Sequence, residues 1–407
     1  MNVLQGKHIL IIVENLPLPF DRRVWQEANT LKENGAEVSI ICPKMKGYNS
    51  SHEFINGINI YRHPLPVEGS GALGYLVEYS VAIFWEFVLS WKIFLKKRFH
   101  VIHGCNPPDL IFLSALVFKL FGVKYIFDHH DINPELYIAK FNRKGIFYKM
   151  MLAFEYLTFK TASYSIATNS SYKEIAIKRG KMLPNKVQVV RSGPQLERLK
   201  LLPKKEEYRK NRPFMVGYVG VIGEQEGIDL LLGSIKYITQ IRSDIQFAIL
   251  GGGTCLEAMK ALSEKLDLTE YVDFYGRVSD EILMEVLNTA DVCVNPDKPS
   301  EMNNLSTMNK IMEYMALKKP IVQYDLKEGR ISAQEASLYA ENNNTKDFAD
   351  KIMHLIDHPE LRKEMADFGY RRVVNELSWE HESQKLISVY NELLGDAKSR
   401  SLLTSNT

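Results

Sequence analysis

Short apolar runs rich in Ile and Val alternate with helical patterns through nearly the whole chain, and this alternation limits the fold more than any other feature. Such runs suit strands of a parallel sheet buried on both faces, with helices filling the gaps. In the first half the pattern predicts strands at Ile9–Val13, Val38–Cys42, Ile58–Arg62, Val101–His103, Tyr125–Asp128, Ser165–Thr168 and Val187–Val190. A charged, proline-bounded stretch from Glu197 to Pro213 then interrupts it. A second series follows at Phe214–Val219, Gln246–Leu250, Val272–Tyr275, Val292–Asn295, Ile321–Tyr324 and Ser337–Tyr339. The expectation is two doubly wound α/β domains, 1–196 and 214–376, a linker at 197–213, a closing helix at 377–396 and a polar tail at 397–407. Two such halves imply a cleft at the carboxyl ends of both sheets.

At 407 residues the chain is too long for one core, and its apolar (45%) and charged (25%) fractions are those of a globular protein. A net charge of +2 disfavours a nucleic-acid partner held by bulk electrostatics. Four scattered cysteines form neither a metal-ligand spacing nor a dense disulfide pattern, which points to a reducing cytoplasm. The run from Ala72 to Leu95 is interrupted by Glu78, Glu86 and Lys92 and reads as a helix within the fold. Its aromatic residues and Lys96-Lys97-Arg98 leave a membrane-surface role open.

Leu305–Ala316 predicts one helix that begins with Ser306 and Thr307 and places Ser306, Asn309, Lys310 and Glu313 on one face. Helix N–H groups and Lys310 suit a diphosphate, and a carboxylate two turns on suits both hydroxyls of a ribose. A plain capped surface helix is the alternative. Gly220 and Gly223 follow the first strand of the second half, where glycine lets backbone approach a ligand. Gly251-Gly252-Gly253 lacks the P-loop lysine, and the loop after the first strand lacks a dinucleotide fingerprint. Asp128-His129-His130-Asp131 ends a strand. One histidine should face the cleft there, as a metal ligand, a proton relay or a ring held in one tautomer, with a plain structural histidine as the alternative.

Taken together, Phe20-Asp21-Arg22-Arg23-Val24-Trp25, His129-His130-Asp131-x-Asn133-Pro134-Glu135, Gly217-Tyr218-Val219-Gly220, Ser306-Thr307-Met308-Asn309-Lys310 and Glu313-Tyr314-Met315-Ala316-x-x-Lys319-Pro320 resemble the family-4 retaining glycosyltransferases of GT-B fold (glycosyl transferases group 1), in particular a bacterial surface-polysaccharide branch. The resemblance implies two Rossmann-like domains, a donor nucleotide mainly on the second and a final helix crossing back to the first. It implies Glu313 at the donor ribose, and Ser306, Thr307, Lys310, Gly220 and Gly223 about the nucleotide. His130 would contact the reacting sugar, and Asp21, Arg22 and Arg23 would lie on the acceptor side. It implies no metal or other cofactor, a nucleoside diphosphate sugar as donor, and a saccharide or polyprenyl-linked acceptor at the cytoplasmic membrane face. The chain departs from the family pattern at Asn304 and Leu305, where an Asp-Lys pair or a first glutamate is expected, and at Val221 and Glu226, where diphosphate ligands are expected. A nucleotide-sugar epimerase of similar fold and a degenerate, non-catalytic transferase acting as a partner protein are the competing readings.

Overall fold

The computed structural model describes residues 3–65 and 71–404, without the side chains of 71–76, 78, 79 and 396–404; Tyr75, Glu78, Tyr79 and the tail residues 405–407 lie outside the described set. The chain divides into two compact units. The first comprises Met1–Ser192 and Glu382–Thr407, the second Gly193–His381.

The first unit is built on eight strands: β1 (His8–Val13), β2 (Glu37–Pro43), β3 (His52–Ile55), β4 (Ile58–His63), β5 (Val101–Cys105), β6 (Lys124–His129), β7 (Tyr164–Ala167) and β8 (Val187–Val189). Their order is β3-β4-β2-β1-β5-β6-β7-β8, parallel throughout except for β3, which runs antiparallel to β4 at the edge. Every residue of β1 is buried, as its unbroken apolar run requires. The sequence reading omitted β3. It is short and amphipathic, His-Glu-Phe-Ile, yet Asn56-Gly57 behind it takes positive φ at both positions (51° and 82°), the turn that closes a two-residue hairpin.

In the second unit β9 (Phe214–Val219), β10 (Ile245–Leu250), β11 (Val272–Gly276), β12 (Val292–Asn295), β13 (Ile321–Tyr324) and β14 (Ser337–Ala340) form one parallel sheet. The order is β11-β10-β9-β12-β13-β14. Both sheets therefore reverse direction of winding beside their first strand, between β1 and β5 and between β9 and β12. Crevices that bind ligands open at such points, outside the carboxyl ends of the strands.

The charged stretch that the sequence suggests as a linker is docked onto the second unit. Leu199 joins its core, Asn288 accepts from the Leu202 N–H at 3.0 Å and donates to the Lys200 carbonyl at 3.0 Å, and Arg209 pairs with Asp291 at 3.0 Å. Polar composition marked this stretch as a connector, but its charges meet fixed partners. At the other end the closing helix runs Trp379–Thr404, beyond the expected stop at 396. From Glu382 onward it belongs to the first unit: the Glu382 carboxylate accepts from the Arg191 N–H, Tyr390 Oη lies 2.7 Å from His103 Nδ1, and Glu392 accepts from Tyr164 Oη at 3.1 Å.

Candidate functional site

In the second unit the relevant residues collect at the β9/β12 switch point. The helix Asn309–Ala316 is placed there by Tyr314, whose buried hydroxyl accepts from the Val219 N–H at 2.9 Å and donates to the Val294 carbonyl at 3.3 Å. One phenol thus ties the ends of β9 and β12 to the helix. A turn earlier, Lys310 lays its ammonium over the Tyr218 ring, 4.8 Å from the centroid, and pairs with Asp297 at 3.3 Å. Burial alone would favour the neutral amine, but Asp297 and then Tyr218 hold Lys310 protonated above its ordinary range. Burial raises the Asp297 carboxyl in turn, with Lys310 opposing.

Gly220 lies against this cation: a Cβ there would sit 2.7 Å from Tyr218 Oη and 3.2 Å from Lys310 Nζ. A larger residue at 220 would collide with the Tyr218 hydroxyl and crowd the Lys310 ammonium. Gly223 donates its N–H to Glu226 at 3.1 Å. Glu226 therefore closes its own loop, and burial followed by the charge of Asp297 raises its pKa. The glycine run after β10 is a packing device. Gly251 and Gly253 have φ of +135° and +158°, and a Cβ at either would strike the backbone of Gly220 or Ile222.

The helix that the sequence predicts from Leu305 to Ala316 is two helices, Glu301–Leu305 and Asn309–Ala316, with Ser306 to Met308 between them. Ser300 caps the first by accepting from the Asn303 N–H at 3.1 Å, and Ser306 ends it by donating back to the Met302 carbonyl at 2.7 Å. Ser306 and Thr307 thus precede the second helix, whose N-cap is Met308 and carries no side-chain cap bond. Only Asn309, Lys310 and Glu313 share a regular helical face. Asn304, one of the departures from the family pattern, accepts from the Lys327 N–H at 2.8 Å and anchors the next helix. Glu313 is held by Arg198 in an ion pair. Arg330 pairs with Asp325 at 2.7 Å and stacks on Tyr339.

In the first unit His130 and Arg23 meet in a buried polar cluster. Asp21 caps the helix Arg22–Glu33, accepting from the Val24 N–H at 3.1 Å, and that start turns Arg22 outward and Arg23 inward. Arg23 donates to Asp128 at 3.0 Å, the Val190 carbonyl at 3.0 Å and Ser192 at 3.1 Å, and pairs with Glu27 at 3.1 Å. Arg23 is therefore a buried ion rather than part of a solvated helix start. Burial works against charge on Asp128, yet Arg23 and then His130 hold its carboxyl well below the usual range. Burial pushes the Glu27 carboxyl up, and Asp128 adds to that.

His130 Nε2 lies 2.9 Å from Arg23 Nε and 2.7 Å from Asp128 Oδ2. One imidazole nitrogen cannot accept from the first and donate to the second at once, so only one of the two contacts is a hydrogen bond in a given tautomer. Its neighbour His129 is fully buried against Phe127, Phe159 and Tyr172, and burial, with Arg179 next, lowers it to about 3. Only His130 retains exposure, as alternation along a strand requires.

Glu27, Cys105, Asp128 and His130 lie close enough to share a metal ion. The Arg23 guanidinium already pairs with both carboxylates, at 3.1 and 3.0 Å, so a divalent ion there would compete with a like charge for the same groups. Sequence reasoning missed Asp297, Glu27 and Arg198. The position of Asp297, two residues beyond the strand at the switch point, was the available signal.

Family models for Glycosyltransferase Family 4 and Glycosyl transferases group 1 match residues 21–198 and 213–358. The capsular polysaccharide biosynthesis glycosyltransferase CapM of Staphylococcus aureus is 29% identical over 272 residues, 63% of this chain and 69% of that protein. Sucrose-phosphate synthase from Thermosynechococcus elongatus superposes with a TM-score of 0.77 at 18% identity, covering 96% of this chain and all of that one. Anabaena Alr3699/HepE, solved in complex with UDP and glucose, does so at 0.70 and 13% identity, covering 93% and 98%. With two parallel-sheet units, a returning terminal helix and family matches over both halves, the chain belongs to the family-4-like group 1 glycosyltransferases of GT-B fold.

Proposed function

We propose that this glycosyltransferase moves a sugar from a nucleoside diphosphate sugar to a hydroxyl of a lipid-linked saccharide in cell-surface polysaccharide assembly, with retention and without a metal. The observation that carries the reading is the Gly220–Lys310–Tyr218 arrangement at the β9/β12 switch point: an ammonium fixed against a glycine backbone at the carboxyl end of β9, where crevices of such sheets bind ligands. Lys310 and the backbone N–H groups near Gly220 would take up charge growing on the leaving diphosphate. Glu313, three residues along the same helix, would receive the ribose hydroxyls. His130 would contact the transferring sugar, held in position beside Arg23 and Asp128.

Support for the substrate class comes from the relatives: CapM is named for capsular polysaccharide biosynthesis, and Alr3699/HepE was solved with UDP and glucose. Among the described residues no helix is long and apolar enough to cross a membrane. The reading places the enzyme in the cytoplasm, in peripheral contact with the inner leaflet that carries its acceptor.

Thermal stabilisation of the purified protein by a panel of sugar nucleotides, with and without EDTA, tests the donor assignment, because a ligand of the folded state raises its stability with occupancy. A shift with one nucleoside diphosphate sugar that survives EDTA supports it. No shift at millimolar concentration overturns it, and a donor epimerised without any acceptor assigns the site to an epimerase.

A further inference from the structure

The terminal helix Trp379–Thr404 buries Leu386, Val389, Tyr390 and Leu393, which lie at i, i+3, i+4 and i+7 and so make one inward stripe. Tyr390 alone among these four brings a polar atom, and a fully buried phenol needs a partner. Its hydroxyl meets His103 Nδ1 at 2.7 Å, in the middle of β5. In the parallel pairing of β5 with β6, Cys105 stands beside Asp128, so His103, two residues earlier, shares a sheet face with Asp128. The other ring nitrogen of His103, Nε2, lies 3.2 Å from Asp128 Oδ2. Tyr390, His103 and Asp128 are all fully buried.

Charge and valence fix the direction of these bonds. Arg23 holds Asp128 as a carboxylate, which can only accept, so the proton of this contact sits on His103 Nε2. A neutral ring then has its lone pair on Nδ1 and accepts from the Tyr390 O–H. The phenol thereby selects this tautomer over the one with hydrogen on Nδ1, in which Nε2 would turn a lone pair towards Asp128 and towards Glu27 Oε2 at 3.7 Å. The bond matters beyond β5 because Asp128 Oδ2 is shared: His130 Nε2 lies 2.7 Å from the same oxygen. Donation from His103 draws on that oxygen and weakens its pull on a proton at His130. Asp21, Arg23, Glu27, Cys105, His129 and Asp131 are the other ionisable groups around this pair, and a change at Tyr390 leaves each of them in the chain.

We propose that Tyr390, on the last helix of the chain, is a positioning residue for His130, acting through the His103 ring and the Asp128 oxygen that the two histidines share. The proposal rests on the reading that His130 contacts the transferring sugar.

Imidazole nitrogen NMR of the full chain tests it, with the two rings assigned from His103→Gln and His130→Gln. In the wild type His103 should be neutral, with hydrogen on Nε2 and a hydrogen-bonded Nδ1. In Tyr390→Phe, which removes one oxygen and keeps the ring, Nδ1 should lose its bond and the His130 titration midpoint should rise by about half a unit to one unit, the range of one lost hydrogen bond. The amide of His103→Gln can donate to Asp128 with no tautomer to select, so adding Tyr390→Phe to it should move the midpoint no further. With the sugar nucleotide that stabilises the wild type, Tyr390→Phe should lower kcat about threefold to tenfold at an unchanged KM. An unmoved His130 midpoint or an unmoved kcat in Tyr390→Phe overturns the proposal, as does a further shift in the double variant. Hydrogen on His103 Nδ1 in the wild type overturns it as well, a result that stands even where Tyr390→Phe does not fold. Wild-type turnover in His130→Gln would instead remove the sugar contact of His130, and the midpoint shift, read without donor, would still report the coupling to Tyr390.

Discussion

Arg198 holds the Glu313 carboxylate in an ion pair, and Arg198 belongs to the stretch that enters the second unit rather than to the sheet or the helix that carries Glu313. A guanidinium beside the proposed ribose carboxylate fixes its orientation and brings positive charge to a region where Val221 and Glu226 replace the expected ligands. Both side chains are about one-fifth exposed, so solvent screens the pair only in part. Arg198→Ala should raise the donor KM about tenfold with a smaller change in kcat, the cost of one charged hydrogen bond in binding. Arg198→Lys should recover only part of this, because a point charge does not reproduce the fork. Unchanged steady-state kinetics in the alanine variant would show that Arg198 does not act on the donor.

Lys310 and Asp297 are coupled in a way that separates folding from binding. Lys310→Ala strands a buried Asp297, which should cost about 3 kcal/mol in denaturant unfolding as well as donor affinity. In Lys310→Met with Asp297→Asn the stranded charge is gone. That double variant should recover most of the stability yet still lose donor-induced thermal stabilisation. If it binds donor like the wild type, the ammonium has no part in holding the diphosphate.

Arg23 sits among two buried carboxylates and two histidines, so its loss leaves Asp128 without its main counter-charge. Arg23→Ala should destabilise the first unit by about 3–5 kcal/mol. Arg23→Lys keeps a cation but cannot serve Asp128, Ser192 and His130 Nε2 together. It should fold and lose about tenfold in turnover. Wild-type turnover in the lysine variant would reduce Arg23 to a structural ion.

Glu86 offers a pH test. It is fully buried on the helix Gly71–Lys96, and burial, reinforced by the charge of Glu14 and opposed by His63, pushes its carboxyl up to about 8. The folded state therefore holds a proton that the unfolded chain releases near 4.5. The stability from this group is complete below about 4.5 and is lost as pH rises towards about 8. Glu86→Gln should remove about 1 kcal/mol per pH unit from the falling slope across that window, measured by urea unfolding at fixed pH values. An unchanged slope would mean that Glu86 titrates normally.

Fold and site were legible to different depths. The buried parallel strands announced themselves because an Ile-Val run such as β1 has no polar face to disguise it, and β9, β12 and β13 match their expected ranges. β3 was hidden by its edge position and its four-residue length, with His52 and Phe54 exposed and no unbroken apolar run, although Asn56-Gly57 marked the hairpin. Lys310 and Glu313 were readable from helical spacing. The break at Ser306 was not, because a hydroxyl that ends one helix and one that starts the next are the same residue type, and only the bond to Met302 tells them apart. Asp297 left only its place two residues beyond β12 as a signal, and Glu27 and Arg198 left none, since each matters through a partner distant in sequence or buried beside it.

The contact of Gly251 and Gly253 with the Gly220–Ile222 backbone has a consequence for how this enzyme can change. Two loops from neighbouring strands share their backbone surface with no side chain between them, so neither can lengthen or take a larger residue without displacing the other. If the proposed donor site is right, divergence towards a new donor is closed along this ledge, and libraries aimed at donor choice belong in side chains such as Arg198 rather than in the glycines.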